Sequence, residues 1–341
     1  MCLTQRPYFD RLLISAELGK PSTALVERQY RNRDREKWFF SAPGFFPLWQ
    51  RRFAMEMKNV LVVTIGMLFL VNGWAGGVTV LDPAYQVEEY VSYASTSGWV
   101  TGMTFDPEGN LYTVYRTTGN VCRIGSDKNV TLNWVSNIVR PRQIIWVDDS
   151  NYGNYFYLTD PGEDKLWKIT ATGNKTTFAY PGSDTCSLAF DTTNNYGGNI
   201  FVGTTADDRI YRVLANGQVQ VFSNFFYGTS GGIWGIDFDP GTDFGGKMYV
   251  GYGGDVPEKS GLFQMDASGN PTRFANSLVY CDTIGFSPVS GIFGSDLFVN
   301  GKLQIDGPTN LFRVDRDGNV SLFIEPGMPF TFGPDGAMYV H

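Results

Sequence analysis

The sequence predicts an all-β fold, a six-bladed β-propeller of four-stranded blades, on three observations. Residues that favour strands and turns dominate, with 40 Gly, 18 Tyr and 26 Phe in 341 residues against 18% charged side chains, a balance that suits pleated strands and tight turns better than helices. A short segment recurs with its aromatic at Phe105, Trp146, Phe190, Phe238, Phe286 and Phe332, so that successive copies lie 41, 44, 48, 48 and 46 residues apart. Each copy leads into further apolar segments, and the last two in a repeat are joined by ATGN (171–174), ANGQ (215–218), ASGN (267–270) or RDGN (316–319). The Gly in these turns supplies the positive φ of a type I turn followed by a bulge, and four strands at a period of about 45 residues make one propeller blade.

Residues 1–54 carry an Arg-rich run, VERQYRNRDREK, and an aromatic patch, WFFSAPGFFPLW, with neither a strand nor a helix period. They are expected outside the fold, as a mis-assigned or disordered extension ahead of a start at Met55 or Met57. Residues 55–75 read as a signal peptide: Lys58 and the upstream Arg51 and Arg52, the apolar run NVLVVTIGMLFLV, and a small-residue exit at Gly73-Trp74-Ala75. The rival reading, a type II anchor, is disfavoured because the apolar stretch is shorter than the roughly 20 residues of a spanning helix. The expected location is secreted, periplasmic or cell-surface.

Residues 76–341 then form the propeller. Five blades are complete in sequence, and the sixth has only its first two strands, within PFTF and AMYVH. N-terminal strands are expected to complete this last blade, with GVTVLD (77–82) third, beside AMYVH, and VEEYVS (87–92) fourth. A WD-type repeat is excluded, since there is one His and no Trp is followed by Asp. A kelch repeat is excluded because its Gly-Gly pair ends the second strand, whereas Gly197-Gly198 and Gly245-Gly246 precede it. The segment FDPEGNLY (105–112), echoed by FGPDGAMY (332–339), resembles the NHL-repeat and gluconolactonase-like six-bladed propellers over residues 77–341.

The repeat separates scaffold from candidate site. Two residues before the aromatic stand Met103, Ile144, Leu188, Ile236, Ile284 and Phe330, an apolar column that should pack blade against blade. Three before it stand Gly102, Gln143, Ser187, Gly235, Thr283 and Pro329, mostly small, as crowding near the axis requires. Four before it the column breaks into Thr101, Arg142, Cys186, Trp234, Asp282 and Met328. A position without a shared packing role, at the start of each innermost strand, is where a ligand would meet the axial mouth. Arg142, Trp234 and Asp282 are taken from it as ligand-binding residues, and replacing Arg142 or Asp282 by Ala is expected to leave stability almost unchanged.

Loops between second and third strands should open on the same face. They carry Arg116, Asp160, Glu163, Asp164, Asp207, Asp208, Asp255, Glu258 and Asp306, of which Asp160 and Asp207, with Asp184 just outside the broken column, complete the candidate set. Carboxylates there could hold Ca²⁺ or another divalent cation; otherwise no cofactor is expected. The loops DTTNNYGGN and DPGTDFGGK are only faintly like calcium loops and read as turns. No catalytic residue is identified, because Ser-His-Asp and Cys-His arrangements need an imidazole and the one His, His341, ends the chain. Cys122, Cys186 and Cys281 read as buried packing residues.

With a net charge of −7 and a pI near 4.9, nucleic acid and anionic membranes are not expected as partners. The expected function is that of an exported, monomeric binding protein for a protein, glycan or small-molecule ligand at the axial mouth, without catalysis. The alternative is a metal-dependent gluconolactonase-like hydrolase. The resemblance implies a metal held by a Glu, two Asn and an Asp at axial positions, and here the matching column offers Asp282, with Asp184 nearby, and neither Glu nor Asn.

Overall fold

A computed structural model describes residues 12–16 (backbone only), 78–93, 98–224, 231–254, 259–289 and 291–341. Three strands precede the repeats: β1 (Leu12–Ala16), β2 (Thr79–Val80) and β3 (Tyr85–Glu89). Five four-stranded meanders follow. The first is β4 (Val100–Phe105), β5 (Leu111–Tyr115), β6 (Asn120–Ile124) and β7 (Val130–Val135). The second is β8 (Ile144–Asp149), β9 (Gly153–Asp160), β10 (Lys165–Ile169) and β11 (Lys175–Ala179). The third is β12 (Thr185–Phe190), β13 (Ile200–Thr204), β14 (Ile210–Val213) and β15 (Val219–Ser223). The fourth is β16 (Gly231–Phe238), β17 (Met248–Gly254), β18 (Gly261–Met265) and β19 (Pro271–Ala275), and the fifth β20 (Tyr280–Phe286), β21 (Leu297–Lys302), β22 (Asn310–Val314) and β23 (Val320–Glu325). The last repeat contributes β24 (Phe330–Phe332) and β25 (Met338–Val340).

The first strands of the sheets pack in succession, β4 on β8, β8 on β12, β12 on β16, β16 on β20 and β20 on β24, and β24 returns to β4. The ring is therefore closed, as a propeller requires. Each interface between neighbouring sheets has its own buried cluster, from Tyr112, Ile144 and Leu158 between the first two to Met103, Leu111 and Tyr339 between the last and the first. The apolar column predicted from sequence lies in these interfaces, every member buried. The small column beside it has an equally direct cause: a Cβ on Gly102 would stand 2.5 Å from the Arg142 carbonyl oxygen, and one on Gly235 2.4 Å from that of Asp282. The tight turns before the fourth strands also form as expected, with Gly173, Gly217, Gly269 and Gly318 at φ of 80–85°.

The loops between first and second strands explain why the later repeats are longer. Asp191 accepts the backbone N–H groups of Thr193, Tyr196 and Gly198 and the Thr193 hydroxyl; Asp239 accepts those of Gly241, Phe244 and Gly246. These carboxylates fold their own loops, the turn chemistry expected of them, and each loop drives an aromatic inward. Tyr196 is buried with its hydroxyl donating to the Met265 carbonyl at 2.6 Å. Tyr152 in the second repeat does the same to Val213, and Phe244 and Phe293 are buried at matching places in the fourth and fifth.

The closing sheet differs from expectation. Its order is β24-β25-β1-β3, so the strand beside AMYVH is β1, with Val340 opposite Leu12, Tyr339 opposite Leu13 and Met338 opposite Ile14. GVTVLD does not take that place. Its residues Thr79 and Val80 pair with Glu325 and Ile324 on the outer edge of the fifth sheet, because Val78 and Val80 find their apolar partners in the cluster of Phe323 and Ile324. A turn closed by Tyr85 N–H on the Asp82 carbonyl then crosses to the closing sheet, where Tyr85 stacks on Phe293 with ring centroids 4.8 Å apart. The fourth strand does come from the expected neighbourhood, as β3. Residues 12–16, expected outside the fold, are thus part of the ring, while the rest of 1–54 and the apolar segment 55–75 lie outside the described residues.

Leu13 stands between Tyr339 and Glu88 in the closing sheet, and proline there removes a ladder donor. Leu13→Pro should therefore speed amide exchange in 338–340 and 85–89 by at least tenfold while leaving the second and third sheets protected. Hydrogen exchange by mass spectrometry reads this, and unchanged protection of both segments would contradict the place of β1.

Candidate functional site

The broken column has a backbone cause. In four of the six first strands the register against the second strand slips at this position: Thr101 falls between paired Val100 and Gly102, Cys186 between Thr185 and Ser187, Trp234 between Ile233 and Gly235, and Asp282 between Cys281 and Ile284. These are β-bulges, in which an extra residue leaves the ladder and its side chain is re-aimed. A residue outside the ladder escapes the packing rule that its column neighbours obey, which is why sequence shows no common character there.

Two of these re-aimed side chains, Trp234 and Asp282, meet Arg142, whose own N–H stays bonded to the Thr159 carbonyl, at one end of the channel. Arg142, from the second sheet, donates to the Asp282 carboxylate of the fifth at 2.5 Å, and its guanidinium lies 4.5 Å from the centroid of the Trp234 ring of the fourth. The Trp234 indole N–H donates to the Gly253 carbonyl at 3.1 Å, which fixes the ring. The Arg142 side chain is only 12% exposed and that of Asp282 29%. Burial opposes the charge on Arg142, but the groups facing it, Cys186 and Asp282 foremost, outweigh burial and raise its pKa. A guanidinium enclosed in this way and bonded to one carboxylate loses more than surface charge when truncated. Arg142→Ala and Asp282→Ala should therefore each cost stability, contrary to the expectation from the broken column.

Beside this bridge lies a second pair, Arg140 with Asp184 at 3.0 Å, and Asp184 also accepts the Thr205 hydroxyl. Arg116 stands close by. Its pKa is lowered, first by burial and then by Arg142 and Arg140. No hydrogen bond or ion pair of its guanidinium is found among the described residues. The Cys186 thiol beneath is pushed up to about 12 by burial, with Arg142 pulling the other way, so it is neutral and inert at ordinary pH.

Four of the six candidate residues, Arg142, Asp184, Trp234 and Asp282, thus share one site. Asp160 does not face it: fully buried, it accepts the N–H groups of Val139, Arg140 and Gly162 and the Trp167 indole N–H. It holds up the loop that carries Arg140, so its role is positioning. Asp207 is taken locally by Thr204, Arg209 and Tyr211. Asp255 and Glu258 lie outside the described residues. Arg140 and Tyr280 were missed, although a sequence signal existed. Six residues before the aromatic the column reads Trp99, Arg140, Asp184, Gly232, Tyr280 and Pro326, as broken as the one four before it and on the same side of a strand.

A divalent cation does not fit this arrangement. Among the described residues no group of three His, Cys, Asp or Glu side chains is placed to hold a metal, and the axial carboxylate of Asp282 is engaged by an enclosed guanidinium. A hard cation needs several oxygen ligands at once, and here it would stand beside three arginines.

Towards the other end, the channel holds a cavity of about 300 Å³ walled by the first strands. Asp237 lines it and accepts the N–H groups of Phe238 at 2.9 Å and Phe286 at 2.7 Å, a clip between the fourth and fifth sheets. Burial raises its pKa to about 6 against the pull of those two N–H groups.

No family model and no curated protein matches the chain. Its fold is similar to that of solved structures. One is a catalytically inactive virginiamycin B lyase from Staphylococcus aureus with quinupristin, at TM-score 0.51 and 14% identity over 74% of this chain and 83% of that one. A gluconolactonase from Xanthomonas campestris matches at TM-score 0.52 and 14% identity, over 71% and 85%. A calcium-binding regucalcin from Agrobacterium tumefaciens matches at TM-score 0.51 and 18% identity, over 70% and 79%. These neighbours are propellers of the gluconolactonase-like kind that the sequence resembles, and at such identities the likeness is one of fold.

Asp237 generates a pH prediction. Its folded pKa of about 6 lies above the unfolded carboxylate value of about 4, so its contribution to stability is complete below pH ~4 and is lost as pH rises through ~6. Between pH 4 and 7 the wild type should lose about 2–3 kcal/mol relative to Asp237→Asn. Denaturant unfolding of both proteins across that range measures the difference, and a difference independent of pH would contradict it.

Proposed function

We propose that the bulged mouth is an anion-binding site and that the chain works by recognising a small negatively charged ligand there. The observation that carries this is the convergence of three guanidiniums at one mouth, Arg140 and Arg142 each paired with a carboxylate and the half-buried Arg116, whose charge is disfavoured by burial and by those two neighbours. The partner of Arg140 is Asp184, with Asp164 behind it on its N–H, and that of Arg142 is Asp282, whereas Arg116 has no carboxylate paired with it among the described residues. An incoming carboxylate or phosphate relieves that local repulsion, and a guanidinium offers it a bidentate pair. Cationic mouths within low-dielectric walls also concentrate anions from solution.

The alternative, a metal-dependent gluconolactonase-like hydrolase, draws on the fold likeness to proteins of that name. It requires Asp282 to leave Arg142 for a metal, and the donors present do not favour that exchange. Export as a monomer remains part of the proposal, on the sequence of residues 55–75; removal of everything before residue 76 would also remove β1 from the closing sheet.

Malonate binding followed by isothermal titration should weaken about tenfold in Arg116→Gln, one charge-assisted contact being worth about 1.5 kcal/mol. Added Ca²⁺ should leave the melting temperature where it was. Saturable stabilisation by Ca²⁺, with malonate binding indifferent to Arg116, would favour the hydrolase instead.

A further inference from the structure

Next to the mouth, between the fourth and fifth sheets, lies a cavity of about 330 Å³ that the anion site alone does not use. Trp234 and Tyr280 form two of its walls, ring centroids 6.4 Å apart and tilted by 40°. Both rings are held in place. Arg142 covers one face of Trp234, while the indole N–H is tied to Gly253. A Cβ on Gly253 would come within 2.4 Å of the Tyr280 ring and 3.1 Å of Trp234, so the glycine lets both rings lie against bare backbone. Val279 and the 43%-exposed Ile305 add apolar surface.

Lys302 is the only charged side chain among the described residues that line the cavity. Its ammonium donates to the Ile305 carbonyl at 3.3 Å, an exposed bond that it can exchange at little cost, and stands 5.7 Å from the Tyr280 ring centroid. No carboxylate or amide side chain is found among those lining residues. Among the described residues the side chains offer the hydroxyls of a sugar one ammonium and the Tyr280 hydroxyl, fewer side-chain partners than paired polar groups would supply. A flat apolar ring has no such need and gains from both aromatic walls. A volume near the lower end for small-molecule sites admits one or two fused rings.

We infer that this cavity binds a planar aromatic carboxylate, its ring against Trp234 and Tyr280 and its carboxylate on Lys302. The inference goes beyond the reading of the mouth as an anion site: the cavity shares Trp234 with the mouth but holds its carboxylate through Lys302.

The test compares 2-naphthoate, its uncharged amide, glucuronate and acetate against wild type and Lys302→Gln, by titration with tryptophan fluorescence and calorimetry. Lys302 is partly exposed at the end of β21 and its ammonium makes one exposed hydrogen bond, so replacement by Gln, which keeps most of the stem, should leave the fold intact. Naphthoate should bind wild type at least tenfold more tightly than each of the other three, and Lys302→Gln should weaken naphthoate about tenfold while leaving the amide unchanged. Glucuronate binding as tightly as naphthoate, indifference of naphthoate to Lys302, or no binding of naphthoate would each overturn the inference. Malonate, run in parallel on Arg116→Gln, separates the two levels: if malonate binds through Arg116 while naphthoate fails, only the aromatic-acid inference falls, and if malonate fails as well, the anion site falls with it.

Discussion

The arrangement of the mouth depends on one contact, the reach of Arg142 from the second sheet to Asp282 in the fifth. Those two sheets are neighbours neither in sequence nor in the ring, and few side chains span a propeller channel. Enclosing a guanidinium is costly unless its charge and its donors are met, and here Asp282 meets the charge while the Trp234 face covers the plane. Three consequences follow from this one placement. The axial carboxylate is committed to an organic cation, the indole is pinned as a wall of the neighbouring cavity, and Asp282 is no longer open to pair with Arg116.

That contact exists because the backbone releases Asp282, and Trp234 beside it, towards an Arg142 whose own N–H stays bonded to the Thr159 carbonyl of the second strand. A first strand in a propeller is held on both sides, by the second strand of its own sheet and by the neighbouring sheets, so its side chains are ordinarily spoken for. The bulges at Trp234 and Asp282 take one position in each strand out of this regime. Scaffold and site are then separable within a single strand: Ile236 and Ile284 pack between sheets, Gly235 yields room for the next strand, and the residue just before is free to serve the mouth.

Much of this was legible in the sequence, for physical reasons. Packing between identical sheets imposes the same residue character at the same repeat position, so the apolar and small columns announce themselves, and a column that breaks marks freedom from packing. That reasoning found Arg142, Trp234 and Asp282 together. It could not show that the position bulges, since a bulge changes pairing and leaves no required residue type behind. Asp160 was misplaced because an acid in a loop reads as solvated, whereas its carboxylate is buried by the four N–H donors that surround it. Arg140 and Tyr280 needed the strand period to be carried two residues further back. The strand at Leu12–Ala16 was out of reach: a five-residue apolar segment far from the repeats carries no register, and GVTVLD matched the third-strand pattern while belonging on the edge of the fifth sheet.

The most direct test of this account is a double-mutant cycle on Arg142→Ala and Asp282→Ala, measured by denaturant unfolding at pH 7. If the bridge across the channel organises the mouth, the two substitutions should be coupled by about 1–3 kcal/mol, the partial exposure of Asp282 keeping the value below that of a fully buried pair. Additivity of the two changes within about 0.3 kcal/mol would show that the residues act separately and would contradict it.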